Sequence, residues 1–191
     1  KLGLCTDQEA KVLVTMAQRK INAVTSTSAG RLFDGVSAIL GIRRASTFEG
    51  EAFTALEFAA AAWRKQREMP KTNPEESPES TGISEASEDE RKFSLNTGEI
   101  VAYLVRARLA GEDPGKLAYG FHRALADEIL AACEEAERQT GIRKVALSGG
   151  VFQNRLLLEL VDDGLTEMGF KVLKHSLIPP NDGGIALGQA V

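Results

Sequence analysis

Apolar residues recur at three- and four-residue spacing through most of the first 140 positions, which is the period of an amphipathic α-helix. Thr6 or Asp7 caps the first helix, and Pro114 and Gly141 bracket the longest one. The longest helix has an apolar stripe that should be buried, formed by Leu117, Phe121, Leu125, Ile129, Ala132 and Ala136. The pattern predicts helices over residues 7–22, 29–41, 52–66, 97–109 and 114–140.

After Gly141 the pattern changes to short apolar strands that alternate with helices. It predicts a strand at Lys144–Leu147, a helix at Phe152–Met168, a strand at Lys171–Lys174 and a last helix from about Gly183. A strand–helix–strand unit of this length favours parallel pairing with a right-handed crossover. The fold class is therefore α/β, with a partly parallel sheet flanked by helices.

Residues 68–96 interrupt this organisation, because they are rich in Pro, Ser and Glu and poor in large apolar residues. Such composition is typical of a flexible surface insertion, so we expect no chemistry there. The remainder of the 191 residues is long enough for one domain with a core of ordinary size.

Composition narrows the possible partners. The formal net charge of −4 argues against nucleic-acid binding through a basic face, and no apolar run is long enough to span a membrane. Cys5 and Cys133 are isolated, and a cytoplasmic, disulfide-free protein is expected, with Cys133 packed as a small core residue.

Two glycine-rich loops follow the two predicted strands. The first is Ser148-Gly149-Gly150, with Asn154 just inside the next helix, and the second ends in Asp182-Gly183-Gly184. Ligands bind open α/β sheets at the carboxyl ends of the strands, and a helix N-terminus offers N–H groups to phosphate. The alternative is that these glycines only form tight turns.

The polar residues in these loops also allow two interpretations. Asn154 either bonds a ribose or phosphate oxygen or is a first-turn residue that faces water. Asp182 either holds a metal beside the phosphates or is the N-cap of the last helix.

Other candidates lie earlier in the chain. Asp34 is one turn into the second helix, where it either faces solvent or reaches ligand hydroxyls, while Arg31 is expected to form a surface ion pair. Gly50 lies in a tight turn that could approach a nucleoside closely. His122, alone on its helix, is expected to be packed or hydrogen-bonded.

Taken together, these segments resemble one family. In order along the chain they are TSTSAGRLFDGVSAILG, FEGEAFTALE, Phe121-His122, LSGGVFQNRLL and PPNDGGIALGQA, and they resemble the C-terminal part of the hydrogenase-maturation carbamoyltransferases, the HypF family. The resemblance covers nearly all of the chain outside the insertion. It implies that residues 1–191 form the second lobe of a Kae1-like domain, with the actin/Hsp70/sugar-kinase ATPase-like fold.

The resemblance also implies a function. The full protein would form carbamoyl-adenylate from ATP and carbamoyl phosphate in other domains, and the Kae1-like domain would pass the carbamoyl group to the C-terminal cysteine of a HypE-like acceptor. By matching motifs, Gly149 and Gly150 would lie at the phosphates. Asp34, Gly50 and Asn154 would contact the nucleoside.

The same resemblance assigns Asp182 as a ligand of a divalent metal, iron or zinc. The other ligands would come from a His-x-x-x-His motif in the preceding half of the domain, and this sequence contains no such pair. We therefore expect the isolated lobe to hold metal poorly and to be inactive by itself. No catalytic residue is assigned, because neither a Ser-His-Asp nor a Cys-His arrangement is evident.

Two other functions remain open at this point. One is the related tRNA threonylcarbamoyl transferase or O-carbamoyltransferase activity, although the acidic charge and the Phe152-Gln153 pair favour the first interpretation. The other is a non-catalytic lobe that docks a partner protein.

Overall fold

The computed structural model describes residues 2–68 and 96–190. Helices make up most of this part of the chain, and two short strands follow the fifth helix. The elements are α1 (Asp7–Arg19), α2 (Ala29–Leu40), α3 (Glu51–Glu68), α4 (Thr97–Leu109), α5 (Pro114–Thr140), β1 (Lys144–Leu147), α6 (Arg155–Glu167), β2 (Lys171–Lys174) and α7 (Ile185–Gln189).

The predicted helix bounds are confirmed where capping chemistry is strong. The Ser28 hydroxyl caps α2 and Gly41 ends it at a φ of +76°. Asp113 accepts the Lys116 N–H at the start of α5, and Gly141 ends that helix at a φ of +69°. These residues define where each helix begins and ends, so the predicted bounds of α2 and α5 agree with the structure.

The two strands lie side by side and parallel, as predicted, with Leu147 opposite Lys174 at their carboxyl ends. The helix between them, α6, is the crossover connection, and it packs against both α5 and β2. Because the strands are in register and end together, the residues that follow each strand emerge at the same edge of the sheet.

One continuous core holds α2 to α6 together. Its centre is Phe33 of α2, which is wholly buried and meets the Phe121 ring edge-on at a centroid distance of 4.9 Å. Only the first half of the predicted α5 stripe is fully buried, since Ile129 and Cys133 pack against the core from partly exposed positions. Burial also raises the pKa of the Cys133 thiol, and both cysteines are free.

Helix α1 differs from the others because none of its residues is buried. Val12, Leu13 and Val14 are each more than half exposed, although the apolar stripe of a helix is normally the face that packs. The helix itself is well formed, since Thr6 and Glu9 make a reciprocal capping box. Local sequence therefore determines α1, while nothing in the described residues covers its apolar side.

Three predicted bounds are wrong. Helix α1 ends at Arg19 rather than near Asn22, because Lys20 and Asn22 adopt positive φ. Helix α6 begins at Arg155, and a separate 3-10 turn occupies Gly150–Gln153. The last helix is also shorter than predicted, since Asp182–Gly184 forms a 3-10 turn before α7.

Of the predicted insertion at residues 68–96, the part from 69 to 95 lies outside the described residues. Within the described part of the chain, no helix combines the length and apolarity that crossing a bilayer requires.

The contact between α5 and α6 generates one prediction about stability. A Cβ added at Gly164 of α6 would lie 2.5 Å from Leu130 Cδ1 of α5, whereas one added at Gly120 of α5 would meet nothing within 4 Å. Alanine is favoured over glycine in a helix by about 1 kcal/mol. Gly120→Ala should therefore raise the free energy of unfolding by about that amount, while overpacking should make Gly164→Ala lower it by about 1 kcal/mol.

Urea denaturation of the two variants beside the unmodified chain measures both changes. Equal stabilisation by the two substitutions would contradict this prediction, because it would show that the α5–α6 contact accommodates a methyl group at position 164.

Candidate functional site

The two glycine-rich loops are joined by a backbone hydrogen bond. The Gly149 N–H donates to the Pro180 carbonyl oxygen at 2.9 Å, immediately beyond the ends of the paired strands. Gly149 can make this bond because its φ of +93° is available to glycine and costly for other residues. The structure therefore brings Gly149, Gly150 and the second loop together at the carboxyl edge of the sheet, as the sequence predicts.

A second contact between the loops is a serine–histidine pair. Ser148 Oγ and His175 Nε2 lie 2.8 Å apart, and both side chains are exposed. Sequence analysis missed this pair, although the strand register contained the signal. Leu147 pairs with Lys174, so the next residue of each strand must be adjacent. An O–H group and an imidazole are thus available at the ligand-facing edge, without a carboxylate bonded to the imidazole in the described residues.

Asn154 is wholly buried rather than exposed to water in the first turn of a helix. It is the N-cap of α6, and its Oδ1 accepts the Leu157 N–H at 2.8 Å. Its Nδ2 lies 2.9 Å from His122 Nε2. The alternative of a water-facing residue is therefore wrong, because both polar atoms of the carboxamide are bonded to partners within the protein.

His122 is equally buried, so the prediction of a packed, hydrogen-bonded histidine is confirmed. Its Nδ1 lies 2.7 Å from the Ala118 carbonyl oxygen, which can only accept, so Nδ1 carries the proton. Nε2 is then the acceptor for the Asn154 amide, provided that the ring is neutral. Burial lowers the pKa of His122 to about 4, which keeps the ring neutral at physiological pH.

The N–H groups at the start of α6 have partners within the protein. Glu57 Oε1 of α3 accepts the Arg155 N–H at 2.8 Å and lies 3.4 Å from the Leu156 nitrogen, while Asn154 takes the Leu157 N–H. No local pattern predicts this contact, since Glu57 is 98 residues from Arg155. An anion at this edge would therefore meet the turn before α6 rather than the helix start itself.

Burial is the largest influence on Glu57 and raises the pKa of its carboxyl group, which the two backbone donors oppose. The carboxylate is stabilised by the positive end of α6. The Glu57 carboxylate thus takes the place of an anionic ligand at the N-terminus of α6.

Asp34 and Gly50 lie on the α2–α3 side of the lobe. Asp34 is partly exposed and forms an ion pair with Arg31 at 3.1 Å, which confirms the surface ion pair predicted for Arg31. Gly50 has a φ of +82°, with nothing within 4 Å of an added Cβ.

The Gly50 turn is held by its neighbour Glu51. The Glu51 carboxylate accepts hydrogen bonds from the Thr47 N–H and hydroxyl and forms an ion pair with Arg43. The Thr47 N–H, as the largest influence, lowers the pKa of Glu51. These bonds hold the turn in position, and the backbone of Gly50 remains uncovered.

Asp182 is exposed and does not cap the last helix, because the Asn181 side chain caps the turn by accepting the Gly183 N–H at 3.1 Å. The N-cap interpretation of Asp182 is thus wrong. Within the described residues, no group of three His, Cys, Asp or Glu side chains lies close enough to hold a metal ion. A single exposed carboxylate does not fit a metal site by itself, so no step of a mechanism is derived through a metal.

Comparison with known proteins places this geometry in context. A family model described as "Carbamoyltransferase, Kae1-like Domain, second subdomain" matches residues 2–189. The carbamoyltransferase HypF of Synechocystis is 34% identical over 96% of the chain, which spans 21% of that relative. A tRNA N6-adenosine threonylcarbamoyltransferase of Francisella philomiragia is 24% identical over 85% of the chain.

A solved structure gives the same result. The chain superposes on a crystal structure of full-length HypF in a phosphate- and nucleotide-bound form with a TM-score of 0.79 and 32% identity, covering 97% of this chain and 22% of the other. The chain thus spans about a fifth of the length of its HypF relatives. These matches confirm the resemblance that the motifs predict, together with the α/β, Kae1-like fold class.

The buried histidine generates a prediction about pH. The folded chain resists protonation of His122 until about pH 4, whereas the unfolded chain takes up that proton near pH 6.5. Between these values the unfolded state binds more protons, so stability should fall as the pH falls from 6.5 to 4. The loss of stability that this proton causes should reach about 3 kcal/mol by pH 4.

His122→Gln removes this titrating group and keeps a polar side chain. Chemical denaturation of both proteins between pH 7 and pH 4 should show a steeper loss of stability in the unmodified chain. Parallel pH dependences would contradict a buried neutral His122.

Proposed function

The chain belongs to the carbamoyltransferase Kae1-like second-subdomain family, and on this basis we propose that it forms one wall of the nucleotide-binding cleft of a HypF-type carbamoyltransferase. The observation that carries the proposal is the Gly149 N–H to Pro180 bond, which fixes both glycine-rich loops at one edge of the parallel strands. A HypF relative of the same fold is described with nucleotide and phosphate bound, which supports a ligand of this type.

The phosphates of the nucleotide would lie at Gly149 and Gly150. Nothing lies within 4 Å of a Cβ added at Gly149, and the nearest atom to one added at Gly150 is Asn181 Cβ at 3.9 Å. A ligand could therefore approach this backbone closely. The exposed Ser148 hydroxyl and His175 imidazole at the same edge would supply further hydrogen bonds to phosphate oxygens.

The nucleoside would be held from the α2–α3 side. A carboxylate such as Asp34 suits the hydroxyl groups of a ribose, and the open backbone of Gly50 suits a flat surface such as a base. Asn154 is proposed to act at the same ligand, although direct contact would require its carboxamide to leave a present partner. Asp182 is proposed to contribute one ligand to a metal site completed by residues outside this chain.

The reaction that such a site would serve is transfer of a carbamoyl group from carbamoyl-adenylate to the C-terminal cysteine of a HypE-like acceptor. ATP and carbamoyl phosphate would be the substrates of the complete protein. The cysteine thiolate attacks the carbamoyl carbon, an S–C bond forms, and the C–O bond to phosphate breaks. AMP leaves with that electron pair.

The residues of this lobe would position the adenylate, offset the charge on its phosphate and exclude water. No covalent intermediate with the enzyme is needed. This division of labour agrees with a site built from glycine turns and polar side chains rather than from a catalytic triad.

A partner-docking role has one observation in its favour, the uncovered apolar side of α1. That surface is compatible with catalysis, because a chain that spans a fifth of its relatives would meet other domains in the complete protein. Nucleotide-dependent transfer therefore decides between a catalytic lobe and a lobe that only docks a partner.

The experiment uses the complete protein encoded by the reading frame that contains this chain, with ATP, labelled carbamoyl phosphate and an acceptor ending in cysteine. Transfer of label to the acceptor should require ATP, and an acceptor ending in serine should remain unlabelled. With pre-formed carbamoyl-adenylate as the donor, Asp34→Asn should lower the kcat/KM for transfer at least tenfold, since a hydrogen bond to a charged group contributes roughly 1.5–3 kcal/mol.

Arg31→Gln is the matched control, because it breaks the same ion pair from the other side. It should leave this kcat/KM within about twofold, as expected for an exposed pair. Equal effects of the two substitutions would remove Asp34 from the nucleotide site. ATP-independent binding of the acceptor without transfer would favour the docking role.

A further inference from the structure

His122 lies where three helices meet and is not exposed at the proposed ligand surface. It is wholly buried on α5, and its ring packs edge-on against Phe33 of α2 at a centroid distance of 5.4 Å. Its Nε2 faces the Asn154 carboxamide at the start of α6. A buried imidazole is costly unless both nitrogens are satisfied, and here both have partners.

Asn154 joins His122 to the first glycine-rich loop, through its carboxamide on one side and its backbone N–H on the other. The Asn154 N–H donates to the Val151 carbonyl oxygen at 3.1 Å, which closes the 3-10 turn that begins at Gly150. The same residue caps α6 through Oδ1. A displacement of Asn154 as a whole would therefore disturb the end of the turn, through its backbone N–H, and the start of the helix, through its side chain.

The turn leads back to the contact between the loops. The Phe152 N–H donates to the Gly149 carbonyl oxygen at 3.1 Å, and the Gly149 N–H donates to Pro180. Hydrogen bonds, linked by the peptide bond between Val151 and Phe152, thus connect Ala118 on α5 through His122 and Asn154 to both glycine-rich loops. Each of these bonds has an ordinary donor–acceptor distance of 2.7–3.1 Å.

We infer that His122 is a positioning residue for the nucleotide site, acting through Asn154 to set the conformation of the Gly149–Gly150 loop. The inference rests on the proposed function for its ligand, and on the structure alone for its effect on the loop. His122 touches neither substrate nor reacting atoms in this role. A histidine that only fills the core would instead influence global stability and leave the loop unchanged.

The test compares three substitutions at His122 in the complete protein. His122→Gln keeps an acceptor near the position of Nε2. His122→Asn keeps a polar atom near Nδ1 and leaves the Asn154 amide without its acceptor. His122→Phe keeps the ring volume and removes both polar atoms. Leu104→Ala, a fully buried position on α4, is the control for a general loss of stability.

Two measurements are made at a temperature at which all variants remain folded. The first is hydrogen exchange of the Gly149 amide, which needs no ligand. The second is the kcat/KM for carbamoyl transfer from pre-formed carbamoyl-adenylate. In His122→Phe and His122→Asn, exchange should accelerate and kcat/KM should fall about tenfold, the effect of one lost hydrogen bond. In His122→Gln and Leu104→Ala, both quantities should stay within about threefold of the unmodified protein.

Unchanged exchange at Gly149 in both His122→Asn and His122→Phe would overturn the inference. If His122→Phe does not fold, the pair His122→Asn and His122→Gln decides the result. Failure of the unmodified protein to transfer the carbamoyl group from carbamoyl-adenylate would instead contradict the proposed function, and the exchange measurement would still determine whether His122 positions the loop.

Discussion

The place of the first glycine-rich loop, in a lobe held together by one apolar core, depends on one buried hydrogen bond between a neutral imidazole and a carboxamide. His122 and Asn154 come from helices separated by β1 and a turn, and each is wholly buried. Neither can be left unpaired without a penalty of about 1–3 kcal/mol, so the bond ties the start of α6 to α5. Because Asn154 also ends the 3-10 turn after the first glycine loop, the same bond determines where that loop lies at the sheet edge.

Much of this fold could be predicted from the sequence, since its signals are local. Asp113 with Pro114 and Gly141 define α5, and Ser28 and Gly41 define α2, because caps and stops act over a few residues. Parallel pairing of the strands follows from the length of the crossover. The proximity of the two glycine-rich loops then follows from the shared register, as does the unpredicted contact between Ser148 and His175.

The missed features depend on residues far apart in the chain. Glu57 and Arg155 are separated by 98 positions, and no periodicity predicts that a carboxylate of α3 will bond the start of α6. The buried state of Asn154 depends on His122 in the same way. The apolar residues of α1 differ from these cases, because local sequence predicts the helix correctly. What could not be predicted is that no described residue covers its apolar side. Family resemblance supplied residue roles without these contacts, which only the folded chain reveals.

The most direct test of this account is the tautomer of His122, measured by nitrogen NMR on the chain labelled with ¹⁵N-histidine. The chain has two histidines, so a His175→Gln variant assigns the signals. The account predicts a neutral ring at pH 7 with the proton on Nδ1 and a bare, hydrogen-bonded Nε2, persisting as the pH is lowered to about 4. A proton on Nε2, or titration near pH 6.5 in the folded chain, would contradict it.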